Sequence, residues 1–112
     1  MDQDDGKPLA LDEYVFVRNE PYDEIYPWMA KIKAVLNCRQ IEVWWLYFPH
    51  TMEQAQGILY GRKEVFLSNH AQKVDIKCLM GRAIVKERCA NCRIAEDWCW
   101  SRRYNVFTGE IE

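Results

Sequence analysis

Seven apolar or β-branched runs recur along the chain at short spacing. They read "EYVFVR" (13–18), "WMAKIKAVL" (28–36), "QIEVWWLYF" (40–48), "KEVFLS" (63–68), "KVDIKCL" (73–79), "GRAIVKE" (81–87) and "DWCWSRRYNVF" (97–107). Strand-length runs joined by short turns predict a mainly β domain, a barrel or a sandwich. One stretch departs from the pattern: "HTMEQAQG" (50–57), between Pro49 and Gly57, is expected to form a short helical turn. Residues 1–11, polar and acidic with a Gly and a Pro, are expected to be a flexible lead-in, leaving residues 12–112 as one domain.

The 40–48 run sharpens the question of function. Side chains alternate along a strand, so Ile41, Val43, Trp45 and Tyr47 share one face, and Glu42, Trp44, Leu46 and Phe48 share the other. Both faces are apolar towards the C-terminal end, which a strand with one solvated face does not show. Either the strand is buried on both sides there, or one face keeps an aromatic surface for a ligand. Trp28, one strand upstream, joins Trp45 and Tyr47 only if the turn between the two runs has the right length. A two-residue turn at Cys38-Arg39 puts Trp28 on their face, whereas a three-residue loop sends it to the opposite face unless a bulge intervenes. No turn dipeptide chooses between them.

Charge and composition exclude several classes. With 15 basic against 17 acidic residues the net charge is −2, so the cationic field of a phosphate-tracking nucleic-acid binder is missing. Local basic patches remain at Arg62-Lys63, Lys86 to Arg88 and Arg102-Arg103, each of which also reads as a solvated face. The N-terminus carries no apolar signal region and no stretch has the length of a membrane span, so no membrane partner is expected. Five cysteines make an odd number for a disulfide framework and favour a reducing compartment.

Cys78, Cys89, Cys92 and Cys99 offer four thiols but only a single C-x-x-C pair, and Cys78 and Cys99 lie inside apolar strands. The expectation is therefore no metal and no cofactor. No Gly-rich phosphate loop, His-Glu-x-x-His motif or assignable Cys–His pair is present, so no enzyme and no catalytic residue is expected. Trp98, Trp100 and Tyr104 share one parity and are assigned to the core.

Four segments, in order, resemble a known family. "PWMAKIKAV" (27–35), "VWWLYFP" (43–49), "YGRKEVFLSNH" (60–70) and "WCWSRRYNVFTGEI" (98–111) are similar to the landmark strands of the bromo-adjacent homology (BAH) domain, most closely its fungal-type chromatin members. The resemblance runs from about Asp12 to the end. It implies a distorted, barrel-like, mainly β fold with short helical turns, a non-enzymatic monomer, and a nuclear location in chromatin regulators. Several members read methylated histone lysines with an aromatic cage, the best-known marks being trimethylated lysine 27 of histone H3 and dimethylated lysine 20 of histone H4. Carried over by position, the cage is Trp28 (usually Tyr in the family), Trp45 and Tyr47, with His70 and Gln72 along the peptide path. Position 72 is usually acidic in the family and is a neutral amide here. His70 also reads as a structural histidine capping a turn. Asp23 and Glu24, ahead of Trp28, are a further source of attraction for a cation. The resemblance thus implies a methylated histone tail as partner and a role in Polycomb-type gene silencing. A scaffold that docks a protein or the nucleosome surface, with the rings as packing, is the rival reading.

Overall fold

The computed structural model describes residues 9–18, 27–89, 92 and 97–112. Residues 1–8 of the lead-in, together with Asp23 and Glu24, lie outside them. Eight strands follow in chain order: β1 (Tyr14–Val17), β2 (Trp28–Val35), β3 (Gln40–Tyr47), β4 (Phe66–Asp75), β5 (Leu79–Ala83), β6 (Val85–Glu87), β7 (Trp98–Trp100) and β8 (Arg103–Tyr104). Six of them are hydrogen-bonded in the order β5-β1-β2-β3-β4-β8, an open sheet with β5 and β8 as its edges, while β6 and β7 form a separate parallel pair. The fold is mainly β, as the run lengths predict. The expected helical turn is present as two 3-10 turns, Pro49–Thr51 and Glu53–Ala55, stopped at Gly57, whose φ of +85° suits a residue without a Cβ. Among the described residues no helix is long and apolar enough to cross a membrane.

The chain divides into two compact units, residues 1–45 with 71–83, and residues 46–70 with 84–112. In the first, β1 lies between β2 and β5, antiparallel to both, with Tyr14 opposite Lys31 and Val17 opposite Trp28. Val15, Ala30, Ile32, Ile41 and Val43 are fully buried, and so is Met29, which points to the opposite face of β2 from Ala30 and Ile32. The Met29 face of β2 also carries lysines. Lys31 and Lys33 both reach Asp12, and Lys33 Nζ lies 4.6 Å from the centre of the Trp44 ring. Arg82 of β5 pairs with Glu13, a link from the β5 edge back to the start of β1.

In the second unit, Met52, Ala55, Phe66 and Tyr104 form the buried cluster, with Tyr47, Ile58, Val106 and Ile111 packed around it. The 3-10 turns are therefore a wall of the core rather than a surface ornament. Glu64 is buried, and its carboxylate accepts the Gly61 N–H at 2.9 Å and the Arg102 guanidinium at 3.3 Å, which satisfies a charge otherwise costly to bury. Trp100 and Tyr104 are buried as expected, and Trp98 is half-buried against Phe48.

Because Phe66 is wholly buried in so small a cluster, Phe66→Ala removes a full ring from the second unit. The expected cost is about 3–5 kcal/mol, against a total stability on the order of 5–15 kcal/mol for a domain of this size. Urea unfolding followed by tryptophan fluorescence measures it. A loss below about 1 kcal/mol is incompatible with this core.

Candidate functional site

Two of the three rings that alternation left in question meet within the first unit. Trp28 opens β2 and Trp45 lies near the end of β3; their centroids are 5.4 Å apart with planes at 74°, an edge-to-face pair. Trp28 remains 46% exposed, whereas Trp45 is 8% exposed. The Trp45 indole Nε1–H donates to Gln72 Oε1 at 3.0 Å, so its plane is fixed from β4 as well as by packing. The two indoles make a corner, one wall held and the other open to solvent.

Trp28 reaches this face through an irregular turn. Leu36 N–H and Asn37 N–H both donate to Gln40 O, at 3.0 and 3.2 Å, while Asn37 Oδ1 accepts from the N–H groups of Arg39 and Gln40. The bond from Leu36 to Gln40 belongs to the three-residue loop. The contacts of Lys33 with Trp44 and of Trp28 with Trp45 are those of the two-residue register. Two adjacent donors on one acceptor mark the local irregularity that lets both hold, the bulge that the sequence left open.

In the second unit, Tyr47 closes β3, half-buried, and its hydroxyl lies 2.9 Å from His70 Nδ1 on β4. Its ring also packs edge-on against Tyr104 at 5.1 Å. Trp45 with Gln72 and Tyr47 with His70 are successive partners, two residues up one strand and two down the other. His70 and Gln72, which the resemblance assigns to a peptide path, are both exposed and both also hold a ring by its polar edge. No sequence signal marks that duty, because it depends on the register between β3 and β4.

The apolar character of both faces of β3 has a mixed explanation. Trp45, Leu46 and Phe48 are buried, so the strand is covered on both sides at that point. The accessible aromatic surface belongs to Trp28 and the half-buried Tyr47. The proposed basic patches are largely committed elsewhere: Arg102 to Glu64, Lys86 to Asp97 at 3.4 Å, Lys63 over the Trp98 ring and Arg103 over the Trp100 ring.

Cysteine placement departs from the sequence reading. Cys89, Cys92 and Cys99 bring their sulfur atoms within 4.8 Å of one another in the second unit, without Cys78, which belongs to the first. Burial pushes the Cys92 and Cys99 thiols up, Cys99 strongly, so neither is a ready nucleophile at neutral pH. Burial also raises the Tyr47 phenol, and the neighbouring Tyr104 adds to the shift.

All three groups favour the neutral form in the folded state, whereas the unfolded chain ionises its thiols near 9.0 and its phenols near 10.0. Their contribution is complete below those values and is lost as the pH rises through them. In reduced, metal-free protein the unfolding midpoint is expected to fall between about pH 8 and about pH 11, with Tyr47→Phe flattening the part above about pH 10. A midpoint constant over that range contradicts the burial of these groups.

No protein-family model matches the sequence, and no curated protein matches it. The solved structure of the yeast Rsc2 BAH domain does match the fold: the TM-score is 0.66 at 18% identity, over 92% of this chain and 48% of that one. The chain thus spans about half the length of the solved chain it resembles. That identity carries the architecture and nothing finer. By fold, the chain is a BAH-like domain.

Proposed function

We propose that residues 12–112 form a non-enzymatic, nuclear chromatin reader. In this reading the domain binds a methylated lysine of a histone tail, trimethylated lysine 27 of histone H3 in the first instance, and serves gene silencing. The observation that carries the reading is the indole corner: an exposed Trp28 set at 74° to a Trp45 whose orientation is fixed by Gln72. A methylated ammonium is poorly hydrated and is attracted to the negative faces of aromatic rings, each contact contributing about 0.5–2 kcal/mol. Ring centres 5.4 Å apart allow one cation to lie within about 6 Å of both. Tyr47, two positions along β3 from Trp45, is proposed as the third ring, and His70 and Gln72 as the start of the peptide path. The BAH-like fold and the order of the four sequence landmarks support the assignment to chromatin.

The scaffold reading has one observation in its favour, the near-complete burial of Trp45, which is what a packing ring shows. Trp28 separates the two, because truncating an exposed ring spares the fold. Calorimetric titration with histone H3 peptides centred on lysine 27 is expected to show binding of the trimethylated peptide only. Trp28→Ala is expected to weaken it about five- to thirtyfold, or 1–2 kcal/mol, in a variant that still folds, with a melting temperature lower by several degrees for the lost ring pair. Equal binding of the unmodified peptide rejects the cage. Silence towards methylated lysine 27 of H3 and lysine 20 of H4 alike leaves the scaffold.

Gln72 supplies a second test. A carboxylate at that position keeps an acceptor for the Trp45 N–H and adds a negative charge beside the cation. Gln72→Glu is therefore expected to tighten binding of the trimethylated peptide severalfold at low salt, a gain that shrinks as ionic strength rises. Weaker binding at low salt contradicts the placement of the cation there.

A further inference from the structure

The convergence of three thiols has no use in the ring site, and it is built from separate backbone anchors. Cys89 N–H donates to Trp100 O at 3.0 Å, which ties the end of the β6 segment to β7. Cys99 N–H donates to Lys63 O at 3.1 Å and Cys99 O accepts from Val65 N–H at 2.9 Å, which ties β7 to the segment leading into β4. Just before Cys89, Arg88 takes a φ of +52°, a left-handed conformation uncommon for a residue with a Cβ, and the chain turns there before the first thiol. Cys92 and Cys99 are buried and Cys89 is half-buried, so the group is closed on the protein side and reaches solvent at Cys89.

A disulfide needs two sulfur atoms, and a small apolar filler needs none of this convergence. Three sulfur atoms within 4.8 Å of one another meet the requirement of a thiophilic cation. Zinc–sulfur bonds of about 2.3 Å in tetrahedral geometry place ligand sulfur atoms about 3.8 Å apart, so closure onto an ion needs a contraction of about 1 Å or less. Among the described residues this is the one group with such an arrangement.

We propose that Cys89, Cys92 and Cys99 form a structural site for a thiophilic d10 metal ion, zinc in the first instance, with the fourth position taken by solvent on the side of Cys89. The ion joins Cys89, at the end of the β6 segment, to Cys99 in β7, and so cross-links side chains where the backbone bonds already tie the two. This is a different conclusion from the one the cysteine spacing supports. A second knuckle is absent from the sequence because the third ligand comes from a strand seven residues beyond Cys92.

The test uses the full chain, reduced and handled without oxygen, stripped of metal and titrated with Co(II). A thiolate-to-cobalt charge-transfer band saturating at one equivalent, displaced by one equivalent of Zn(II), is the expected result. Zinc is also expected to raise the melting temperature by at least about 5 °C. Cys89→Ser, at the half-buried position, is expected to weaken cobalt binding at least a hundredfold, while the exposed Cys38→Ser leaves it unchanged. The wild-type titration stands without either variant. Absence of the band in folded, reduced protein overturns the site, as does an equal loss in Cys38→Ser or a disulfide among the three thiols under reducing conditions.

Discussion

The two-residue alternation of β3 is the constraint on which the proposed ring site depends. Ile41 and Val43 on one face are fully buried, and that anchoring forces Trp45 and then Tyr47 onto the same face further along. A slip of one residue would bring Glu42 into the core and turn both rings away. The partners on β4 depend on the same phase, because Gln72 and His70 meet Trp45 and Tyr47 only in one register. The hydrophobic core and the polar edge of the rings therefore specify a single arrangement, and neither has slack to absorb a shift.

Strand-forming segments were legible because they rest on local pattern. The runs at 13–18, 28–36 and 40–48 became β1, β2 and β3 within a residue or two, and the turn bounded by Pro49 and Gly57 became the two 3-10 turns. The runs at 63–68 and 73–79 were less well divided. The polar stretch Asn69 to Gln72 reads as a break, yet it continues β4, with His70, Ala71 and Gln72 exposed. Polarity was mistaken for punctuation because backbone pairing, and not side-chain burial, maintains the strand there.

Long-range relations were the illegible part. The two side chains bonded to the rings, Gln72 and His70, lie 27 and 23 residues from Trp45 and Tyr47, and nothing in local pattern identifies them as partners. Cys99 was read as a small hydrophobe inside a strand, which its full burial supports, and its approach to Cys89 and Cys92 could not be inferred from spacing. The turn at Cys38-Arg39 was undecidable for a sharper reason. Its hydrogen bonds combine two registers, and a sequence argument that assumed one ladder had to leave the choice open.

The edge-on contact between the indoles bears directly on how the proposed cage would work. An aromatic pair of this kind contributes about 0.5–1.5 kcal/mol beyond its area, and a cation that settles between the rings must give up part of it. A cation–π contact returns about 0.5–2 kcal/mol per ring, so Trp28 and Trp45 together return about 1–4 kcal/mol, and only at the bottom of that range does the return fall to what the pair gives up. In the proposed reading a third ring and the low cost of orienting the second widen that margin. Tyr47 is the ring at the right phase of β3, and Trp45 is already fixed by Gln72, so little rotamer freedom is left to lose on binding. The energetics then favour selectivity over affinity: an unmethylated ammonium, strongly hydrated, meets the same ring-opening cost with a larger desolvation penalty and no compensating partner.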